Sequence, residues 1–245
     1  MPDRHSRYGA SSMSRWSVCP GSVSLLEKYP TPTNHHAQEG TLAHDWAEKK
    51  LLALMAGGEE KVMCADADMD MYTENYAKYC MELYEKCQSF GSSVEGEFSL
   101  DIEAEHDEVF GTNDFCCWNK EILHIVDFKY GKHKVKAKDN KQLMYYALGA
   151  IKEHKLEPTL IYLHIYQPRA GKRSPYNYHE ISIGELLNFE AELKVAIKRV
   201  DEKPDEYVTG SHCFFCNRSM CPEQTRVAHK GSPTVEDTVH FKGNK

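Results

Sequence analysis

The chain has 245 residues, 41% of them hydrophobic and 27% charged, and 37 acidic against 30 basic side chains give a formal net charge of −7. That composition excludes disorder, collagen and coiled coil as descriptions of the whole chain, and it makes any contact with nucleic acid a local feature rather than a general basic coat. The apolar runs at 51–56 and 159–165 fall short of the roughly 18 residues that span a bilayer, and no apolar segment follows Arg4, His5 and Arg7, so a cytoplasmic protein with no membrane span and no secretory leader is expected.

In chain order, Thr41 is expected to cap a helix through Ala43, Trp46, Ala47 and 51–55, ended by Gly57 and Gly58. Tyr72, Tyr76, Tyr79, Cys80, Leu83 and Cys87, at three- and four-residue spacing, predict a second helix that Gly91 terminates. Three strand-like runs follow: Val94 to Ile102 through Phe98 and Leu100, then 109–118, then 122–129. Asp139 or Asn140 opens a helix through Leu143, Tyr146, Ala147, Ala150 and Ile151, and after it come strands at 159–167 and 176–183 and a last helix at 185–200. The order is ααβββαββα. The middle helix is long enough to be a crossover, so the strands on either side of it can run parallel while the first three form an antiparallel meander. This predicts an α/β fold with a mixed central sheet flanked by helices, a single folded unit over 1–225 and a polar tail over 226–245.

The segment Gly111-Thr-Asn-Asp114 through Asp127-Phe-Lys129 holds the densest chemistry. If Asn119-Lys120 is a two-residue hairpin loop, Trp118 pairs with Glu121, Asp114 lies opposite Ile125, and Asp127 is its diagonal neighbour. Alternation then sends Asp114, Asp127 and Lys129 to one face, close enough to share a divalent cation. The third strand is apolar on both faces and should be central, where two carboxylates are costly unless a cation offsets them. The bland alternative is an Asp-x-Lys triplet at an exposed strand end. Gln142 and Tyr146, four apart on the crossover helix, share a face from which they can reach phosphate near the metal.

Asp114, Asp127-Phe-Lys129 and Gln142-Leu-Met-Tyr-Tyr146 resemble the motifs of the PD-(D/E)xK nuclease superfamily, specifically its RecB-like exonuclease branch with a restriction-endonuclease-like αβββαβ core. The segments 11–22, containing Trp16 and Cys19-Pro-Gly, and 39–44, Glu-Gly-Thr-Leu-Ala-His44, are similar to the opening motifs of phage and prophage members that hold an iron-sulfur cluster. The resemblance runs from about Ser11 to Pro222. It implies a Mg²⁺- or Mn²⁺-dependent DNA exonuclease serving phage recombination or DNA processing in the host cytoplasm. His44, Asp114, Asp127 and the Phe128 carbonyl would be its metal ligands and Lys129 its catalytic lysine. An imidazole among the carboxylates favours Mn²⁺ relative to an all-oxygen site. An endonuclease or flap nuclease is the rival enzyme, and a non-catalytic DNA-binding iron-sulfur or zinc protein the rival outside enzymes.

Cys213, Cys216 and Cys221 supply three thiolates with two- and four-residue gaps, one short of a tetrahedral zinc or four-iron site. The resemblance offers Cys19 as the fourth, making a 4Fe-4S cluster that staples the chain ends; His212 and His229 are local alternatives that would point to zinc. The other five cysteines lack such spacing and read as buried. The stretch 129–141 holds six lysines against one acid, and Lys132, Lys134 and Lys136 are expected to attract DNA phosphates, unless the loop is merely solvated. Arg15 is a candidate for recognising a DNA end; Arg169 and Arg173 are weaker ones. A homo-oligomer or a recombination partner protein is compatible with the sequence.

Overall fold

The computed structural model describes residues 6–32, 34–58, 62–100, 109–171 and 174–224. Its elements are α1 (Met13–Trp16), α2 (Gly21–Lys28), α3 (His35–Met55), α4 (Ala67–Lys86), β1 (Gly91–Ser99), β2 (Phe110–Trp118), β3 (Ile122–Phe128), α5 (Lys141–His154), β4 (Leu160–Tyr166), β5 (Tyr176–Ser182) and α6 (Ile183–Glu202), with short 3-10 turns at Ala10–Ser12, Ser211–Phe215 and Arg218–Met220. They fall into two compact units, one of residues 1–13 with 33–194 and one of residues 14–32 with 195–245. No helix among the described residues is long and apolar enough to cross a membrane.

The larger unit is built on a five-stranded sheet in the order β1-β2-β3-β4-β5. β1, β2 and β3 form the expected antiparallel meander, β3 and β4 run parallel across the α5 crossover, and β5 returns antiparallel to β4. The α–β–β–β–α–β order is met by α4, β1, β2, β3, α5 and β4. β3 is buried from Leu123 to Phe128, as a strand that is apolar on both faces must be. Phe115, Cys117, Val126 and Phe128 pack with Ala43, Ala47 and Leu51 of α3 and with Met69, Tyr76, Ala77 and Cys80 of α4. α5 comes close to β1 because Gly149 leaves room for the Phe98 ring, which a Cβ there would strike.

Local chemistry moves several boundaries. α3 starts at His35, six residues before Thr41, because the Asn34 side chain accepts the Ala37 N–H at 2.9 Å. Thr41 sits inside the helix and returns its hydroxyl to the Ala37 carbonyl at 3.2 Å. Gly57, at φ +66°, ends this helix as expected. α4 ends at Lys86 with Cys87 as its cap, and Gly91 opens β1 instead of closing the helix. α1 and α2 were not expected, and Ile102, placed in the first strand, lies outside the described residues.

The β2–β3 hairpin corrects the expected register. Trp118 pairs with Leu123, not Glu121, and Phe115 with Val126. The Asn119 side chain accepts the N–H groups of Glu121 and Ile122 at 2.9 and 2.8 Å, an Asx turn that lengthens the loop. One rung beyond Phe115 and Val126, Asp114 is therefore level with Asp127 rather than diagonal to it. A slip of two residues preserves the face on which each lies.

Candidate functional site

The three first strands each place a carboxylate on one rung. β1 pairs Val94 with Phe115 and Gly96 with Asn113, which sets Glu95 level with Asp114, and Asp127 follows on β3. Glu95 was not singled out in the sequence, where it reads as one more polar residue of an alternating strand. It has φ +45°, a left-handed conformation costing a non-glycine residue roughly 1–2 kcal/mol, and such strain concentrates at functional sites.

His44 reaches the same place from α3. Its Nδ1 is 3.5 Å from Asp114 Oδ2, which also accepts the Phe128 N–H at 2.7 Å. The Phe128 ring lies against the imidazole edge at 5.3 Å between centroids. Ligand atoms of His44, Glu95 and Asp114 all lie within 4.8 Å of one another. Asp127 is not part of that trio. Its carboxylate turns to Lys129, whose Nζ lies 2.9 Å from both oxygens, yet Oδ2 is buried without a hydrogen-bond partner. Two clustered carboxylates and an imidazole, with the buried Asp127 carboxylate on the neighbouring strand, fit a divalent cation, whose charge would offset their mutual repulsion.

The electrostatics follow from that crowding. Burial lifts Glu95 to about 8, helped by Asp114, and Asp127 to about 6, with Lys129 opposing and Asp114 reinforcing the shift. Burial works against a charged His44, but Asp114 overrides it and holds the imidazole up at about 9; the same pairing keeps Asp114 below its usual range despite burial. At neutral pH, Glu95 and His44 therefore hold protons that a metal bound here would have to displace. We expect Mn²⁺ affinity to rise as pH increases from 6 towards 9 and binding to release protons, measured by calorimetry in buffers of different ionisation enthalpy. Glu95→Gln should weaken binding at least about tenfold. An affinity independent of pH would contradict this arrangement.

Lys129 is held on its other side by Gln142, whose Oε1 accepts its ammonium at 3.0 Å while its Nε2 donates to the Tyr146 hydroxyl at 2.7 Å. Tyr146 is buried, so it is both core and anchor. Beyond Lys129, Lys132, Lys134 and Lys136 are exposed, but their segment is not loose. The Gln167 side chain donates to the carbonyls of Gly131 and His133 at 2.7 and 2.8 Å and accepts the Val135 N–H at 2.9 Å. Arg169 is engaged with Glu39 at 2.9 Å and lies 4.4 Å from the Tyr130 ring centroid. Arg173 and His229 lie outside the described residues.

The smaller unit brings Cys19 to the three late cysteines. Gly21 lets the Tyr207 ring pack where a Cβ would come within 2.7 Å of it, the Gly21 N–H donates to the Glu206 carbonyl at 2.9 Å, and the Val208 N–H then points at Cys19 Sγ at 3.4 Å. Cys19, Cys213, Cys216 and Cys221 line one small recess together with His212, whose Nε2 is 2.9 Å from the Val208 carbonyl oxygen. Burial raises the Cys19 and Cys216 thiols; backbone N–H groups oppose it at Cys19 and Arg15 opposes it at Cys216, while the neighbouring thiols add to it. The Arg15 Nε is buried without a hydrogen bond, and burial lowers its guanidinium while Cys216 and Cys19 oppose the shift. Four sulfurs, an N–H aimed at one of them and a half-buried guanidinium beside two fit a thiolate-bound centre of net negative charge.

Two solved structures resemble the chain. "Crystal structure of SSO0001" matches with a TM-score of 0.44 and 12% identity, covering 91% of this chain and 89% of that one. A protein described as a "putative exonuclease", from Eubacterium rectale, matches with a TM-score of 0.44 and 9% identity, covering 96% and 93%. Likeness at that level does not bear on function. The family model for DUF2800, described as a protein of unknown function, matches residues 5–238, and the chain belongs to that family.

Proposed function

We propose that the protein is a metal-dependent DNA exonuclease. The reading rests on the rung of Glu95, Asp114 and Asp127, capped by His44 and flanked by Lys129. His44, Glu95, Asp114 and Asp127, with the Phe128 carbonyl, would hold Mg²⁺ or Mn²⁺. Such an ion, when bound, activates water and neutralises charge developing on a phosphate. Lys129 contributes an ammonium fixed between Asp127 and Gln142, placed to donate to a phosphate oxygen or to orient the attacking water. Gln142 and Tyr146 position it, so a loss of either should lower turnover more than DNA affinity. Mixing the purified protein with linear DNA and Mg²⁺ or Mn²⁺ tests the reading. Release of acid-soluble nucleotides that a chelator stops is expected, and no release with either metal would contradict it.

In this reading the 132–136 strap supplies affinity. Each lysine that neutralises a phosphate adds about 0.9 to the dependence of log K on log salt, so replacing Lys132, Lys134 and Lys136 by Gln should lower that slope by about 2–3. An unchanged slope would make the strap mere solvated surface. Cys19, Cys213, Cys216 and Cys221 would hold a 4Fe-4S cluster, with zinc as the alternative. Arg15 fits a counter-charge to those sulfurs better than a contact with a DNA end, because its Nε is buried. DNA processing in phage recombination is the setting this chemistry suits, with a recombination protein or a second copy as partner.

A further inference from the structure

The stretch from Lys129 to Lys138 crosses from the end of β3 towards α5, a task that any neutral loop could perform. This one carries five lysines and no acid. Left to itself, such a loop would spread, both to relieve the repulsion between its cations and to gain conformational freedom. Instead its backbone is held almost residue by residue. The Lys129 N–H donates to the Tyr166 carbonyl at 2.8 Å, and Arg169, ion-paired with Glu39, lies over the Tyr130 ring. Gln167, only 4% exposed, gives its whole amide to the strap: it donates to the carbonyls of Gly131 and His133 and accepts the Val135 N–H. Asn177 of β5 takes over from there, donating to the Val135 carbonyl at 3.1 Å and accepting the Ala137 N–H at 2.7 Å.

The pattern of these bonds sorts the strap into an inside and an outside. Backbone groups of every second residue, 131, 133, 135 and 137, turn onto the two amides, and the residues between and beyond them, Lys132, Lys134, Lys136 and Lys138, are exposed. From Gly131 to Lys138 only Ala137 is buried outright, so the pinning fixes cations without burying apolar surface to match. Core packing therefore does not account for it. A row of cations already in place does have one use, which is to meet a partner of repeated negative charge with no ordering left to do.

We propose that Gln167 and Asn177 are positioning residues that preorganise the strap for the phosphodiester backbone of DNA. They act through the lysines and touch no phosphate themselves. Their effect is separable from that of charge. The number of phosphates neutralised belongs to the lysines and is read from the salt dependence of binding, whereas the ordering supplied by the two amides is read from the affinity at one salt concentration. This deepens the nuclease reading by stating how DNA is gripped, and it rests on that reading for the identity of the polyanion.

The test is fluorescence anisotropy of a labelled DNA duplex, without divalent metal and at several salt concentrations, for wild type, Asn177→Ala and Gln167→Ala/Asn177→Ala, beside a brief trypsin digest of each protein. Trypsin should cut the double variant after Lys132, Lys134 or Lys136 and spare those bonds in wild type. The double variant should bind DNA at least about tenfold more weakly, since reordering the backbone of even one residue on binding costs about that factor. Its slope of log K against log salt should equal that of wild type, because every lysine remains. If the double variant melts lower as a whole, Asn177→Ala, which removes two hydrogen bonds at a half-buried position, makes the same comparison with a smaller loss. Unchanged affinity overturns the proposal, whether or not trypsin now cuts the strap. So does a slope that falls together with the affinity, because the amides would then decide which lysines reach phosphate rather than how ordered they are. A wild type that binds no DNA overturns it as well. Firm binding that depends on the two amides, in a protein that cleaves nothing, would sink the nuclease reading and leave the proposal standing.

Discussion

Asp114→Ala, Asp127→Ala and Lys129→Ala should each lower DNA cleavage by at least about 10²–10³-fold, the scale seen when one group that stabilises the reacting charge is lost. Their effects on folding should differ. Asp127 is buried and its carboxyl lifted to about 6, so Asp127→Ala takes away a costly charge but leaves the Lys129 ammonium, 2.9 Å from it, with Gln142 alone. Asp114→Ala leaves the Phe128 N–H without its acceptor and His44 without its carboxylate, which costs about 1–3 kcal/mol. Lys129→Ala frees Asp127 and Gln142 together. Lys129→Arg should not restore activity, because a planar fork does not replace a compact ammonium held between two oxygens. Cleavage and thermal melting measured on the same preparations separate chemistry from folding. Full activity in Asp127→Ala would refute the site as described.

Cys19→Ser should have the largest effect on stability. If Cys19 joins Cys213, Cys216 and Cys221 around one centre, the bonds close a loop of nearly the whole chain, and losing a cross-link of that kind costs about 2–5 kcal/mol. The variant should lose visible colour and iron and melt lower or aggregate, whereas Cys80→Ser, which alters a cysteine buried against Tyr76 in the larger unit, should keep the colour. Iron and zinc per chain, with the visible spectrum of protein purified without oxygen, give the answer. A colourless wild type with one zinc would refute iron-sulfur but keep the staple. Iron at wild-type level in Cys19→Ser would refute the staple and return attention to His212 and His229 for the fourth ligand.

What was legible in the sequence is what depends on short-range pattern. The apolar run 122–128 announced a buried central strand, and Asp114, Asp127 and Lys129 were found because carboxylates at its end are costly. Asp139 or Asn140 was expected to open a helix, and it is Asn140 that caps α5, its side chain accepting the Leu143 N–H at 3.1 Å. His44 was singled out only through the resemblance, since nothing local distinguishes it from other helical histidines. Glu95 was missed because its importance comes from register and from a left-handed φ that no spacing encodes. The hairpin register failed for a similar reason: the Asn119 Asx turn competes with a two-residue loop, and both suit the same residues. The sequence offered the strap as a basic loop but not its pinning, because Gln167 and Asn177, which hold it, lie more than thirty residues away in sequence.

The most direct test of the account is to incubate wild type and Asp127→Ala with Mn²⁺ and two DNAs, one linear and labelled at one end, the other a covalently closed circle. The account predicts that wild type shortens the linear DNA from an end and leaves the circle intact, while Asp127→Ala leaves both untouched. Cleavage of the circle would make the protein an endonuclease, and equal digestion by wild type and Asp127→Ala would contradict the site itself.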